Sequence, residues 1–208
     1  MPIRWLILDA YAVIFKRGKN LNKLLIPFLR EKGNNLEDNY IRELYREASL
    51  GKITSYELWH LFDYSEQFPD IEHEYLDKYI AIDEEFIELA PKFINRYSLA
   101  LLTNDIAEWA KYTHSKYRLN EIFKEIIISG EVGIRKPDKR IFELLLKRLQ
   151  FPSESCVFVD DKFANLQAAS NLGINVIRFI RECEKAPFCS EFEVKNFHEL
   201  LNVLENFF

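Results

Sequence analysis

Short apolar runs that stop abruptly at a polar residue recur along this chain of 208 residues, separated by stretches with helical spacing. Residues 3–8 stop at Asp9, 98–102 at Thr103-Asn104, and 156–159 at Asp160-Asp161. Further runs cover 125–129 and 174–180. A strand buried on both faces reads as one continuous apolar run rather than as an alternation. Strands that alternate with helices demand right-handed crossovers, and therefore a parallel sheet. In an open parallel sheet the strand C-termini line up along one edge, where such folds bind ligands. The polar residues that end these runs therefore converge, although they lie far apart in the chain.

The hydrophobic content of 48% marks a globular chain, long enough for one core plus a small insert. A net charge of −5 argues against broad nucleic-acid binding. It leaves room for a small anionic ligand held by a local positive site. No apolar run approaches the roughly 20 residues of a membrane-spanning helix, and the N-terminal run is too short for a signal peptide. A cytoplasmic monomer or homodimer is expected, with no nucleic-acid or membrane partner. Cys156 falls in a predicted buried strand, where thiols pack as small hydrophobes. Cys183 and Cys189 read as reduced thiols rather than a disulfide.

Four segments carry chemistry: Asp9, Thr103-Asn104, Lys136-Pro137 just beyond a predicted strand, and Asp160-Asp161. A carboxylate nucleophile, a hydroxyl, a lysine and an acidic pair suit chemistry on a phosphate bound to a divalent cation. Adjacent carboxylates facing a third repel strongly unless a cation sits among them. Magnesium accepts such hard oxygen ligands, with water and phosphate completing its shell.

In order and spacing these segments resemble the haloacid dehalogenase-like hydrolase superfamily, over residues 3 to about 179. Residues 130–142 and 158–169, followed by Leu172-Gly173-Ile174, are similar to the small phosphatases with a helical cap. The resemblance implies an α/β fold: a Rossmann-like parallel sheet core of order 5-4-1-2-3, built from residues 1–15 and 85–208. An inserted α-helical cap would cover 16–84. It also implies Mg2+ held by Asp9, Asp161 and the backbone carbonyl of Tyr11, with Asp160 acting mostly through water. Asp9 would attack phosphorus to form an aspartyl-phosphate. Thr103, the backbone around Asn104, and Lys136 would hold the transferring oxygens of a small phosphorylated metabolite.

One position departs from that pattern. The phosphatases carry Asp-x-Asp in the first segment, and the second aspartate protonates the leaving group and then activates water. This chain reads Asp9-Ala10-Tyr11. Asp-x-Tyr is the pattern of the 2-haloacid dehalogenases, but those resemble Ser-Ser where this chain has Asp160-Asp161, and they need no metal. A phenol with its ordinary pKa near 10 is a poor base at neutral pH, and general acid/base help is typically worth about 10²- to 10⁴-fold. The sequence thus reads as a slow magnesium-dependent phosphatase with Asp9, Tyr11 and Lys136 as catalytic residues. The competing reading is a non-catalytic regulatory protein that binds magnesium and phosphate. A 2-haloacid dehalogenase is less favoured. The plainer role of Tyr11 is to fill space between core and cap.

Within the insert, Leu21, Leu24, Leu25, Phe28 and Leu29 follow helical spacing, with Pro27 delaying or kinking the helix. Thr54 or Ser55 is expected to cap the helix after Gly51, and Asp105 the helix over 106–117. The aromatics Tyr40, Tyr45, Tyr56, Trp59, Phe62 and Tyr64 are expected to form mostly the cap's own core. Arg42 and Arg46 share a helical face, read as solvated or as meeting an anionic substrate tail. The loop from Arg181 to Ser190 has no functional account.

Overall fold

The computed structural model describes residues 2–18, 21–181 and 192–207. Cys183, Cys189 and the loop beyond Arg181 lie outside the described residues. The chain runs β1 (Trp5–Leu8), α1 (Leu25–Glu31), α2 (Asp38–Ala48), α3 (Ser55–Leu61), α4 (Asp70–Tyr79) and α5 (Glu84–Ile94). It continues through β2 (Ser98–Thr103), α6 (Ala107–Lys116), β3 (Glu125–Ile128), α7 (Ser129–Val132) and α8 (Lys139–Leu149). β4 (Cys156–Asp160), α9 (Phe163–Ser170), β5 (Asn175–Phe179), β6 (Glu193–Val194) and α10 (Phe197–Phe207) follow.

The strands pair in parallel in the order β3-β2-β1-β4-β5-β6. Taken from the other edge, this contains the expected order 5-4-1-2-3. The added edge strand β6 has two residues, too few for an apolar run. Side chains alternate across the sheet with the period of two that a pleated strand imposes. Leu6, Leu8, Leu99, Leu101, Val157 and Val159 face one way, packed with residues of α5, α6 and α10. Ile7, Ala100, Leu102, Cys156 and Phe158 face the other way, packed with α8 and α9. Both faces are covered, which is why the strands read as unbroken apolar runs.

Four helices, α1 to α4, lie between β1 and α5. α1 starts late, so Pro27 is its third residue, where a missing N–H costs no intrahelical bond. Thr54 caps α3: its hydroxyl accepts from the Glu57 amide while the Glu57 carboxylate accepts from the Thr54 amide.

The aromatics of this segment do not form a private core. Tyr45, Trp59 and Phe62 are buried. However, Trp109 of α6 lies 6.3 Å from Trp59 and 6.0 Å from Tyr45, ring centre to ring centre. Tyr40 and Tyr56 are exposed. The apolar cluster therefore runs without a break from the insert to the sheet. Glu72 of α4 bridges the seam, accepting from the indole N–H of Trp59 at 2.9 Å and of Trp109 at 2.7 Å. Gly51 closes it elsewhere. Its φ is +68°, and a Cβ there would stand 2.2 Å from the Gly130 carbonyl oxygen, so only glycine fits.

Candidate active site

Three of the four segments sit at strand ends. The register pairs Leu8 with Val159, and the Asp9 amide donates to the Val159 carbonyl at 2.9 Å. One step on, Asp9 stands alongside Asp160, with Asp161 next. Thr103 ends β2. Lys136 comes from the irregular stretch between α7 and α8, and Asn104 fixes it. The Asn104 amide group donates to the Lys136 carbonyl at 2.9 Å and accepts from the Lys136 amide at 2.8 Å. The side chain of Asn104 is thus spent on positioning the lysine.

Lys136 is 3% exposed, and its ammonium is fully engaged. It donates to Asp160 at 2.7 Å and to the Leu102 carbonyl at 2.7 Å, and it pairs with Asp9 at 2.8 Å. Burial alone would lower its pKa, but the charges of Asp160 and Asp9 outweigh burial and raise it, so it stays cationic at neutral pH. Asp160 is saturated. Its carboxylate accepts from Lys136, from the Lys162 amide at 2.8 Å, and from the Asn165 side chain at 2.9 and 3.0 Å. Asn165 was missed by the sequence reading, although one turn into α9 is where a side chain can reach back to a strand end.

The remaining carboxylates are under strain. Burial raises the Asp9 pKa to about 6, with Lys136 opposing and Asp160 adding to the shift. Burial and the charges of Asp160 and Asp9 raise Asp161 to about 8. Oxygens of the three aspartates lie within 4.8 Å of one another. The Asp161 Oδ1 and the Thr103 hydroxyl are both buried with no hydrogen-bond partner among the described residues. Such orphans are rare and costly in proteins. One is an acceptor beside crowded negative charge and the other a donor. Hard oxygens with an orphan acceptor suit magnesium or a similar divalent ion, and an orphan hydroxyl suits an anion oxygen.

Tyr11 is placed differently. It is 6% exposed, its ring lies 5.5 Å from that of Phe15, and its hydroxyl donates to Asp105 at 2.8 Å. Burial and the Asp105 charge hold its pKa well above the phenol value. Asp105 is accordingly no helix cap: α6 begins after Ile106 with no side-chain cap, and the Asp105 carboxylate accepts from Tyr11 and from the Ile106 amide. Pairing with a buried hydroxyl has taken the carboxylate away from the helix end.

A family model described as haloacid dehalogenase-like hydrolase matches residues 21–179. The chain belongs to this family. The match takes in Thr103, Lys136 and the Asp160-Asp161 pair, while Asp9 and Tyr11 precede it. A glyceraldehyde 3-phosphate phosphatase of Methanothermobacter thermautotrophicus is 28% identical over 175 residues, 79% of this chain and 70% of that protein. An (S)-2-haloacid dehalogenase of Pseudomonas putida is 33% identical over 87 residues, 42% of this chain and 37% of that protein. A drimenol cyclase of Aspergillus calidoustus is 41% identical over 63 residues, 30% of this chain, and the chain spans only 12% of its length. Among solved structures, a haloacid dehalogenase family enzyme of Bacteroides thetaiotaomicron, in complex with magnesium and inorganic phosphate, shares the fold. Its TM-score is 0.72 at 18% identity, covering 88% of this chain and 98% of that one. No described helix of this haloacid dehalogenase-like chain is long and apolar enough to cross a membrane.

Proposed function

We propose that the chain is a magnesium-dependent phosphatase acting on a small phosphorylated metabolite in the cytoplasm, with residues 16–84 as a cap over the strand ends. The observation that carries this reading is the pair of buried orphans at the site, an acceptor on Asp161 and a donor on Thr103. Together they ask for a cation and an anion side by side, as a metal-bound phosphate provides. The phosphatase relative and the structural neighbour solved with magnesium and phosphate support it.

Asp9, Asp161 and the Tyr11 carbonyl would hold the ion, which when bound supplies charge that offsets repulsion between Asp9 and a phosphate dianion. An Asp9 oxygen bonds to phosphorus as the ester P–O bond breaks, giving an aspartyl-phosphate and the leaving oxyanion, which takes its proton from solvent. Water then cleaves the intermediate, regenerating Asp9 and releasing inorganic phosphate. Lys136, held cationic, and the Thr103 hydroxyl stabilise the transferring oxygens. Tyr11 does not supply the proton for the leaving group, because its hydroxyl is engaged by Asp105 and holds its proton more tightly than a free phenol. The enzyme is therefore slow, and best on acyl phosphates and activated esters, which depart without protonation.

That same engagement of Tyr11 favours a second reading, a regulatory protein that binds magnesium and phosphate without turnover. Hydrolysis of p-nitrophenyl phosphate separates the two. We expect turnover with magnesium that disappears in chelator and falls by on the order of 10⁴-fold or more in Asp9→Asn. No turnover in a folded wild-type protein that magnesium and phosphate still stabilise would select the binding role. Metal-independent release of halide from a 2-haloacid would overturn both.

A further inference from the structure

A cleft of about 680 Å³ opens beside Asp161, between the loop after β1, the start of α1, Arg42 of α2, and the ends of β4 and β5. Its volume is typical of a pocket for a whole small molecule, and it exceeds what a phosphoryl group alone would fill. Its charge is unlike that of the chain. The protein carries −5 overall, yet seven of the described residues lining this cleft are Lys or Arg, and Asp161 is the one acidic residue among them.

Three of these cations are committed within the fold, and a fourth only in part. Lys16 pairs with Glu84. Arg181 pairs with Asp83 and donates to the carbonyls of Ala12 and Val13. Arg42 is held by Asn22, Asn39 and Asp38. Arg178 pairs through one terminal nitrogen with Glu193 at 3.2 Å. Others are less engaged. Arg17 is exposed and lies 5.9 Å from the Tyr79 ring. Lys162 is exposed beside Asp161. Arg178 adds an independent observation: it is 7% exposed, it lines the cleft, and its Nε is buried without a partner among the described residues. A guanidinium N–H desolvated in this way is stabilised by an acceptor. Asp160, its register neighbour on β4, is already saturated by Lys136, Lys162 and Asn165.

We propose that this cleft is a second anion subsite, and that the substrate is a phosphate ester carrying another anionic group, a carboxylate or a second phosphate, at its far end. Arg17, Lys162 and Arg178 receive that group while the ester phosphate sits at Thr103, Lys136 and Asp9. The proposal rests on the phosphoryl-site reading above. The loop at Gly18 runs close to the metal-binding end, and Asp161 itself lines the cleft. A Cβ there would meet Ala12 at 3.5 Å and Asp161 at 4.0 Å, so the cleft and the phosphoryl site are contiguous.

The test is calorimetric titration of the magnesium-loaded Asp9→Asn protein, in which ligands are not consumed. Glycerol 3-phosphate and 3-phosphoglycerate differ in a hydroxymethyl or a carboxylate at the far end. Fructose 6-phosphate and fructose 1,6-bisphosphate differ in a second phosphate. We expect the more anionic member of at least one pair to bind about tenfold tighter, and the pair that shows it tells carboxylate from phosphate. The preference should shrink several-fold in an Arg17→Ala or Arg178→Met background, and with added salt as exposed charges are screened. Arg17 is exposed, so its substitution leaves the fold intact if Arg178→Met does not. Equal binding within both pairs, or a preference that survives both substitutions, overturns the subsite. Inorganic phosphate is the control. If it binds and the pairs do not differ, the subsite alone fails; if it does not bind, the phosphoryl site fails and the subsite with it.

Discussion

Two buried carboxylate centres in this protein are completed to different degrees. At the seam between insert and sheet, Glu72 is 4% exposed and receives two indole N–H groups. At the strand ends, Asp9 and Asp160 share one lysine, and an Asp161 oxygen is left without a donor among the described residues. Burial is costly for a carboxylate in both places, but at Glu72 the fold itself supplies the compensation. At Asp161 it does not. A closed polar network is a structural part, and an open one is built for something that arrives from outside.

Several measurements would break or sharpen this contrast. The largest effect is expected from Lys136→Met, which removes the cation from between Asp9 and Asp160. Breaking such a buried pair costs about 3–5 kcal/mol, read as a lowered urea midpoint in chelator, and turnover should vanish with it. An unchanged midpoint would show that the aspartates do not depend on the lysine.

Next come two substitutions of opposite sign. Glu72→Gln should lower stability by about 1–3 kcal/mol, because a neutral amide is a poorer acceptor for two buried indoles. Asp161→Asn, measured in chelator at about pH 8.5, should raise stability by on the order of 1 kcal/mol by removing a crowded charge, while abolishing stabilisation by magnesium. If both variants lose stability, the two centres are alike and the contrast fails.

The pH dependence provides a third check. Asp161 has a native pKa near 8 and an ordinary value of 3.8. Between those values the native state keeps a proton that the unfolded chain has released. Its contribution to stability is complete below about pH 4 and is lost as pH rises through about 8. Glu72, raised by burial, contributes a slope of the same sign. Asp9, raised to about 6, adds to it in the same sense; saturating magnesium should remove the Asp161 and Asp9 parts and leave the Glu72 part, as thermal melts across pH 4 to 8.5 would show.

The smallest effect concerns Tyr11→Phe. Loss of its bond to Asp105 should cost about 1 kcal/mol, with kcat on an aryl phosphate kept within about threefold. A fall of 10²-fold or more would instead make the phenol an acid/base catalyst.

The sheet was legible because its strands are buried on both faces and end in polar residues. That pattern alone places Asp9, Thr103 and Asp160 on one edge. Lys136 was legible as a member of the set, but its hold was not, because Asn104 acts 32 residues away. Glu72 reads in sequence as one more acid near a helix start. Its partners are 13 and 37 residues distant, and no local pattern reports them. Asp105 shows the same limit. Local chemistry makes it a helix cap, whereas a tyrosine 94 residues upstream claims its carboxylate. The cationic cleft was foreshadowed only by Arg42, since its other walls come from separate segments.

The clasp between Asn104 and Lys136 has a consequence for how such a site can change over time. Because a side chain anchored at the end of β2 grips both backbone polar groups of Lys136, the position of the ammonium is set by the sheet and not by the segment that carries it. The residues before and after Lys136 are thereby relieved of the task of aiming it. Substitutions among them can reshape the surroundings of the site while the charge at its centre keeps its place.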